Sequence, residues 1–289
     1  MKNYYKYLRL TVFTAIMIAF IAIHCTDVSS NPSGSEQDSI PTPDGYVLVW
    51  NDEFNGSGIN PEKWEHEVNA QGGGNNELQY YTDRQENSFV ENGTLSIIAL
   101  KENYTGPEGT RKYTSARLRT KNKGDWKYGR FEIKAKLPYG QGIWPAIWML
   151  PTDWVYGGWA ASGEIDIMEL VGHEPDKIYG TIHYGGTYPR NKHKGASYTY
   201  PEPFYSDFHI FSLEWDTTEI RWYIDDIHYA TQTEWYSENG SYPAPFDQHF
   251  HLLLNVAVGG DWPGDPDNTT QFPQKMIIDY VRIFQEKPE

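Results

Sequence analysis

Short runs in which apolar and polar residues alternate recur along the chain from about residue 44 onward. Alternation with a period of two is typical of β-strands that bury one face, and clusters of Gly, Pro, Asn and Asp separate the runs as turns do. No stretch keeps a helical period for four turns, and no internal repeat is present. The predicted strands are 46–50, 94–100, 128–137, 142–150, 164–171, 179–184, 209–215, 219–230, 250–258 and 276–284.

These strands predict an all-β domain over residues 44–289, built as a sandwich of two stacked antiparallel sheets of jelly-roll type. The segments 69–83 and 103–113 lack the alternating pattern, and we expect them to be long surface loops. No second linker interrupts the region, so we expect a single domain.

Composition narrows the classes of function. The 289 residues include 24 Lys and Arg against 39 Asp and Glu, a net charge of −15. This charge argues against nucleic acid as a partner, because phosphate binding requires a positive surface. The single Cys excludes a disulfide framework and a Cys-based zinc site. Aromatic residues make up 16% of the chain, more than a core of this size needs, which favours aromatic platforms for a neutral ligand.

The first 25 residues are predicted to be a signal peptide. Lys2, Lys6 and Arg9 precede the apolar run 11–23, which is shorter than the roughly 20 residues of a membrane-spanning helix but suits a signal-peptide core. Cys25 follows at once, as in bacterial lipoproteins, where the cysteine is lipidated and becomes the N-terminus. Ordinary secretion with cleavage further on is the alternative. Removal of residues 1–25 changes the net charge from −15 to −18, because it takes away three positive charges.

Residues 26–43 are predicted to be a disordered tether. They contain five Ser, three Pro and three acidic residues, a composition that cannot build a core. The protein is therefore expected to be secreted, periplasmic, or a lipoprotein of the outer membrane or cell surface of a bacterium. In the lipoprotein case, lipidated Cys25 would attach it to the membrane.

Three carboxylates, Glu164, Asp166 and Glu169, fall within one predicted strand. Crowding of three acids on one strand face raises the pKa of at least one of them, which is how a carboxyl group stays protonated as a general acid. A retaining glycosidase needs two carboxyl groups about 5–5.5 Å apart, one as nucleophile and one as acid/base. The strand face must then be concave, so that the side chains lean together.

The spacing of the three acids requires an irregular strand. Positions two apart share a face of a regular strand, whereas positions five apart do not. One extra residue in a β-bulge restores the match. If Ile167 and Met168 share a bulge, all three acids line one face and Ile165 enters the core.

Two other interpretations of the acids are a solvated strand face and a calcium site. Nearby tryptophans favour a sugar cleft instead, because the C–H faces of a pyranose pack on aromatic rings. Trp159 lies five residues before the first acid, and Trp144 and Trp148 lie on the preceding strand. Trp159 is the strongest stacking candidate, and one of the other two tryptophans is a candidate for the core.

The segment GEIDIMEL (163–170) resembles the active-site signature of glycoside hydrolase family 16. Seven further segments resemble laminarinase-type members of that family in chain order: WNDEFNG, GNNELQYYT, YTSARLRT, YGRFEIKAKLPYGQGIWPAIWML, GTIHYGG, LLLNVAVGGDWPG and IDYVRIFQ. The resemblance implies a concanavalin-like β-jelly-roll with a concave cleft and endo-hydrolysis of β-1,3-glucan with retention. It also implies that Glu164 is the nucleophile, that Asp166 assists it, and that Glu169 is the acid/base.

The resemblance extends to the cleft. Asn75 resembles a donor-side sugar contact, with Asn76 as the alternative residue and turn capping as the alternative role. Arg117 resembles a residue that binds sugar hydroxyls, or else it forms an ion pair with a carboxylate. His183 is expected near the acid/base, although a core histidine is the simpler interpretation. Trp262 is expected at the rim of a subsite.

A second carboxylate set is expected to be structural. By the same resemblance, Glu53 and Asp279 bind calcium on the convex side together with a backbone carbonyl near Gly93, since oxygen-only ligands suit that ion. Solvated acids or a sodium ion are the alternatives. No cofactor is expected for catalysis.

Three further functions remain open. Mixed-linkage β-1,3-1,4-glucanase is the first, although lichenase-type relatives usually lack the extra bulge residue, here Met168. A sulfated galactan is disfavoured by the negative charge. A non-catalytic β-glucan-binding lectin is disfavoured because all three acids are present. We expect a monomer whose partner is a β-glucan polysaccharide or oligosaccharide.

Overall fold

Eighteen β-strands and one turn of 3₁₀-helix are the regular structure of residues 40–288, the part of the chain that the computed structural model describes. The 3₁₀ turn is Gly72–Gly74. The strands are β1 (Tyr46–Asp52), β2 (Glu65–His66), β3 (Gln79–Tyr81), β4 (Ser88–Glu91), β5 (Thr94–Gly106), β6 (Gly109–Ser115), β7 (Arg117–Arg119), β8 (Asp125–Trp126), β9 (Gly129–Lys136), β10 (Ile143–Pro151), β11 (Glu164–Glu169), β12 (Lys177–Gly185), β13 (Asn191–Thr199), β14 (His209–Trp215), β15 (Ile220–Ile224), β16 (Ile227–Gln232), β17 (Phe250–Val258) and β18 (Gln274–Glu286).

The predicted signal peptide 1–25, with Cys25, and most of the predicted tether 26–43 lie outside the described residues. Within residues 40–288, no helix has the length and apolar character needed to cross a membrane.

The strands form two sheets. One sheet has the order β16-β15-β14-β9-β18-β5-β6-β3, with β1 on β18 and β4 on β5. The other has the order β13-β12-β11-β10-β17-β7-β2, with β8 on β17. The pairs are antiparallel except β3 with β6, which is parallel. The predicted all-β sandwich of jelly-roll type is confirmed.

The core lies between the two sheets because each sheet turns one row of apolar side chains inward. On β9, alternate residues are buried, and Phe131 and Ile133 are fully so. All nine residues of β17 are buried, since this strand lies in the middle of its sheet. That sheet also carries the predicted catalytic strand, β11, next to β10.

Three predictions about elements were wrong. Segment 69–83, predicted to be a surface loop, contains β3, whose three residues are buried and pair with β6. Segment 103–113, predicted to be a surface loop, belongs to the hairpin of β5 and β6; its strands were missed because most of their side chains here are polar and at least partly exposed. Segment 219–230, predicted to be one strand, is the hairpin of β15 and β16. Asp225 and Asp226 form its turn with φ values of 46° and 60°, the left-handed conformation that two-residue hairpin turns require.

Candidate active site

The predicted bulge is present in β11. Against β12, Asp166 pairs with Thr181 and Glu169 pairs with Tyr179. Two residues of β11 therefore lie between these pairs, opposite a single residue of β12. Against β10, the register shifts over the same stretch. The bulge brings Glu169 to the face that carries the other two acids, and Ile165 is fully buried in the core.

The three acids lie at the base of a cleft with a cavity of about 530 Å³. Aromatic side chains from β10 and from the loop before β11 form much of its wall. Of the residues predicted to bind sugar, five line the cavity: Asn75, Arg117, Trp144, Trp148 and Trp159. The two tryptophans of β10 both line the cleft, so neither belongs to the core.

Each of the two glutamates accepts a hydrogen bond from a different indole. Trp159 Nε1 donates to Glu164 Oε2 at 2.8 Å, and Trp144 Nε1 donates to Glu169 Oε1 at 3.0 Å. The third indole, that of Trp148, donates to Asn255 Oδ1 at 2.7 Å. Two of the predicted stacking residues are therefore also the hydrogen-bond donors that orient the two carboxyl groups.

His183 lies beside Glu164 and Asp166, not beside Glu169 as expected. It pairs with Glu164 across β11 and β12. Its Nε2 is 3.3 Å from Asp166 Oδ2 and 3.6 Å from Glu164 Oε1. The correction follows from strand register, since Glu169 is opposite Tyr179 further along the same strand.

Burial and repulsion raise the pKa of both glutamates. Burial, and then the charge of Asp166, raise the pKa of Glu164 to about 7. Burial and the charges of Asp166 and Glu164 raise the pKa of Glu169 well above its usual range. Burial lowers the pKa of His183, but its contact with Asp166 and the charges of the glutamates outweigh this and raise it to about 9.

The position of His183 gives the two glutamates different protonation states. Near neutral pH His183 is a cation, and its ring nitrogen is 3.6 Å from Glu164. A nearby positive charge favours the ionised form of a carboxyl group. Glu164 is therefore the first of the two glutamates to ionise, while Glu169 keeps its proton. His183, Glu164 and Asp166 also place three potential ligand atoms within 4.8 Å of one another; a metal ion there would have to displace the imidazole proton.

One wall of the cleft is built around a buried guanidinium. Arg117 stacks on Tyr81 and Trp148, with its central carbon 4.5 and 5.3 Å from the two ring centroids. It is also 3.4 Å from Glu67 and 3.7 Å from Glu77. Arg117 therefore forms ion pairs with carboxylates, as in the alternative interpretation. Its side chain also lines the cavity.

Asn75 and Asn76 have different surroundings. Asn75 lines the cavity, whereas the side chain of Asn76 donates to both carboxylate oxygens of Asp261 at 3.0 and 3.1 Å. Of the two alternatives, Asn75 is the one that reaches the cleft. Trp262 is 42% exposed and packs edge-on against Trp144, with ring centroids 5.5 Å apart, which is a rim position.

Several residues of the cleft were missed. Glu77 is buried, lines the cavity and accepts a hydrogen bond from Gln79 at 2.6 Å. Asn255 also lines the cavity, and a signal for it was present, because it is the only polar residue within the apolar run of β17 after His251. Trp154 and Tyr188 complete the list of missed aromatic wall residues.

The predicted calcium ligands lie apart from the cleft, and their carboxylates have basic partners. Glu53 accepts hydrogen bonds from Arg282 at 2.7 and 3.0 Å, and Asp279 is 2.8 Å from Lys134. Gly93 is in the turn between β4 and β5, with a φ of 75°. Both acids thus have cationic partners, which calcium would have to displace. Calcium binding stays a prediction from the resemblance, and no catalytic step depends on it.

Two buried carboxyl groups with separated protonation behaviour, at the base of an aromatic cleft, define the site of a glycoside hydrolase. The model of the family described as glycosyl hydrolases family 16 matches residues 72–282. The chain belongs to this family.

Relatives and solved structures agree with this membership. The chain is 44% identical over 284 residues to a beta-glucanase of Rhodothermus marinus, covering 94% of each chain. It is 41% identical over 278 residues to glucan endo-1,3-beta-glucosidase A1 of Niallia circulans, covering 88% of this chain but only 41% of the relative. The laminarinase catalytic domain of Thermotoga maritima MSB8 superposes with a TM-score of 0.76 at 46% identity, covering 84% of this chain and 99% of that one.

The two indole donors predict changes in different limbs of the pH–rate profile. Trp159→Phe removes a hydrogen bond to ionised Glu164, so the pKa of Glu164 should rise and the acidic limb of kcat/KM should move up by roughly 0.5–1 pH unit. Trp144→Phe should raise the pKa of Glu169 and move the basic limb up instead. Trp148→Phe is the matched control, because its indole donates to the amide of Asn255; it should leave both limbs in place. Identical profiles for all three variants would contradict the assignment.

Proposed function

We propose that this protein is an endo-acting, retaining glycosidase that hydrolyses β-1,3-glucan. The observation that carries the proposal is the pairing of Glu164 and Glu169 on one bulged strand, each oriented by its own indole N–H. Laminarinases and β-glucanases among the relatives support β-1,3-glucan as the substrate.

The two glutamates have distinct roles in the proposed mechanism. Glu164, ionised beside the His183 cation, attacks the anomeric carbon and forms a covalent glycosyl–enzyme bond. Glu169 gives its proton to the leaving glycosidic oxygen in the same step. In the second step, Glu169 takes a proton from water, the water oxygen attacks the anomeric carbon, and Glu164 is released. Asp166, next to both His183 and Glu164, assists by holding the cation in place.

An uncharged glucan suits this cleft better than an anionic polysaccharide. Three acids form its base, and the whole chain has a net charge of −15, which disfavours a sulfated galactan. Mixed-linkage β-1,3-1,4-glucan is the second candidate substrate, since a β-glucanase is among the relatives. A lectin role is disfavoured because the catalytic carboxyl groups are all present and oriented. A monomer is expected, and that expectation stays a prediction.

Two substitutions separate the roles of the glutamates. Glu164→Ala should abolish turnover on every substrate, because no covalent intermediate can form. Glu169→Ala should stop cleavage of laminarin yet still react with activated aryl β-glucosides, whose leaving groups need no proton. Added azide should then attack the intermediate and give a β-glycosyl azide, which NMR identifies.

The exposed Glu91, on the opposite sheet, provides a matched control. Glu91→Ala should behave as the parent enzyme, whose first products should be β-anomers. If Glu164→Ala, but not Glu169→Ala, gave the azide product, the roles would be reversed. An initial α-anomer would exclude a retaining mechanism.

Substrate choice is tested by parallel digestion of neutral and anionic polysaccharides. Laminarin should be cut fastest, lichenan more slowly, and carboxymethylcellulose and agarose hardly at all. Product sizing should show intermediate oligosaccharides early, as expected for cleavage within chains. Faster cleavage of lichenan than of laminarin would favour the mixed-linkage assignment, and release of single glucose units alone would exclude an endo-acting enzyme.

We also propose that the protein is exported and is held at the bacterial surface through lipidated Cys25. The basic, apolar and cysteine-containing segment at residues 1–25 supports this. The full chain produced in a bacterial host should fractionate with membranes and carry a lipid mass at its N-terminus. Cys25→Ser should release the protein or block its processing, while Ser29→Ala, four residues further on, should have no effect. A soluble mature form that begins after residue 25 would contradict the anchor.

A further inference from the structure

A hydrogen bond crosses the core and ends on the backbone of the catalytic strand. The indole Nε1 of Trp222 donates to the carbonyl oxygen of Asp166 at 2.8 Å. Trp222 lies on β15, in the sheet opposite β11, and is fully buried. We propose that Trp222 is a positioning residue for the glycoside hydrolysis proposed above: its hydrogen bond fixes the β-bulge and thereby sets the position of Glu169 relative to Glu164.

The bond meets the strand where the sheet pairing fails. Asp166 is the last residue of β11 that pairs in register with both neighbours before the bulge, and Ile167 has no partner on β10. A bulge disrupts the ladder locally, and the carbonyl oxygen that accepts this bond belongs to the peptide group between Asp166 and Ile167, at the start of the bulge. The indole of Trp222 supplies a donor from the other sheet.

The strand next to the bulge leaves room for this indole. Gly180 is the residue of β12 opposite Ile167 and Met168. A Cβ at Gly180 would lie 2.4 Å from Cδ1 and 2.7 Å from Nε1 of Trp222. The φ of Gly180 is outside the left-handed region, so backbone conformation does not require glycine here. Space for the indole under the bulge is the reason for it.

The bulge lies between the two catalytic groups. Glu164 precedes it and stays in regular register opposite His183, whereas Glu169 follows it. A shift of the bulge therefore changes the position of Glu169 while leaving Glu164 and its donor Trp159 where they are. Because Glu169 supplies the proton to the leaving oxygen, the effect falls on substrates whose leaving group needs that proton.

A neighbouring tryptophan provides a matched control. Trp215, on β14 of the same sheet as Trp222, is 2% exposed, and its Nε1 donates to the backbone carbonyl of Phe246 at 3.1 Å. Its hydrogen bond is of the same kind, but it ends on a residue outside the catalytic strand. Trp215→Phe therefore reproduces the loss of a buried indole bond without acting on the bulge.

The test compares Trp222→Phe with Trp215→Phe in the full chain. Both variants should lose thermal stability to a similar extent. Trp222→Phe alone should lower kcat on laminarin by about tenfold or more, with KM changed less than about twofold. Its kcat/KM on an activated aryl β-glucoside, which reports the formation of the glycosyl–enzyme, should fall much less, because Glu169 is not required as an acid in that step.

A second variant perturbs the hydrogen bond from Trp222 to Asp166 without removing its donor. Gly180→Ala keeps the indole N–H but pushes the ring away from the carbonyl, and it should reproduce the substrate-dependent loss even if Trp222→Phe fails to fold. Equal losses of kcat/KM on laminarin and on the aryl glucoside, or a kcat on laminarin equal to that of Trp215→Phe, would overturn the proposal. Activity of the parent enzyme and of Trp215→Phe reports separately on the proposed function itself.

Discussion

Repulsion among three carboxylates on one strand is the constraint around which this active site is built. Glu164, Asp166 and Glu169 share one face of β11 at the base of a cleft, where burial strengthens their mutual repulsion. One cation and two neutral hydrogen-bond donors offset this repulsion. The cation, His183, lies against Glu164 and Asp166, and each glutamate has an indole N–H of its own. In the proposed mechanism, the asymmetric position of the cation separates two chemically identical side chains into a nucleophile and an acid.

The surrounding sheets make this arrangement possible. Strand register places His183 opposite Glu164, and the bulge turns Glu169 to the same face. The bulge disrupts the ladder locally, and the opposite sheet contributes a hydrogen bond at its start, from the indole of Trp222 to the carbonyl oxygen of Asp166. Fold and chemistry are linked here because the core residue and the catalytic residues meet at one peptide group.

The sequence allowed the fold and the bulge to be predicted, because both depend on local spacing. Alternation of apolar and polar residues revealed most strands, and the distances of two and five residues between the acids required one extra residue in β11. Polar strands such as β13 and the hairpin of β5 and β6 have no such pattern and were missed. Contacts that depend on the register of strands distant in sequence could not be predicted from local spacing either. The partner of His183 was assigned to the wrong glutamate for that reason, and the buried Glu77 and Trp222 had no local signal for their roles.

Glu164 and Glu169 should differ in protonation before any substrate binds. Carbon-13 NMR of side-chain carboxyl groups measures this directly in the free enzyme, with Glu164→Gln and Glu169→Gln used to assign the two signals. Glu164 should titrate near pH 7, in keeping with its raised pKa, and Glu169 should remain protonated to higher pH. Two signals that both report ionised carboxylates at pH 5, or Glu169 ionising before Glu164, would contradict it.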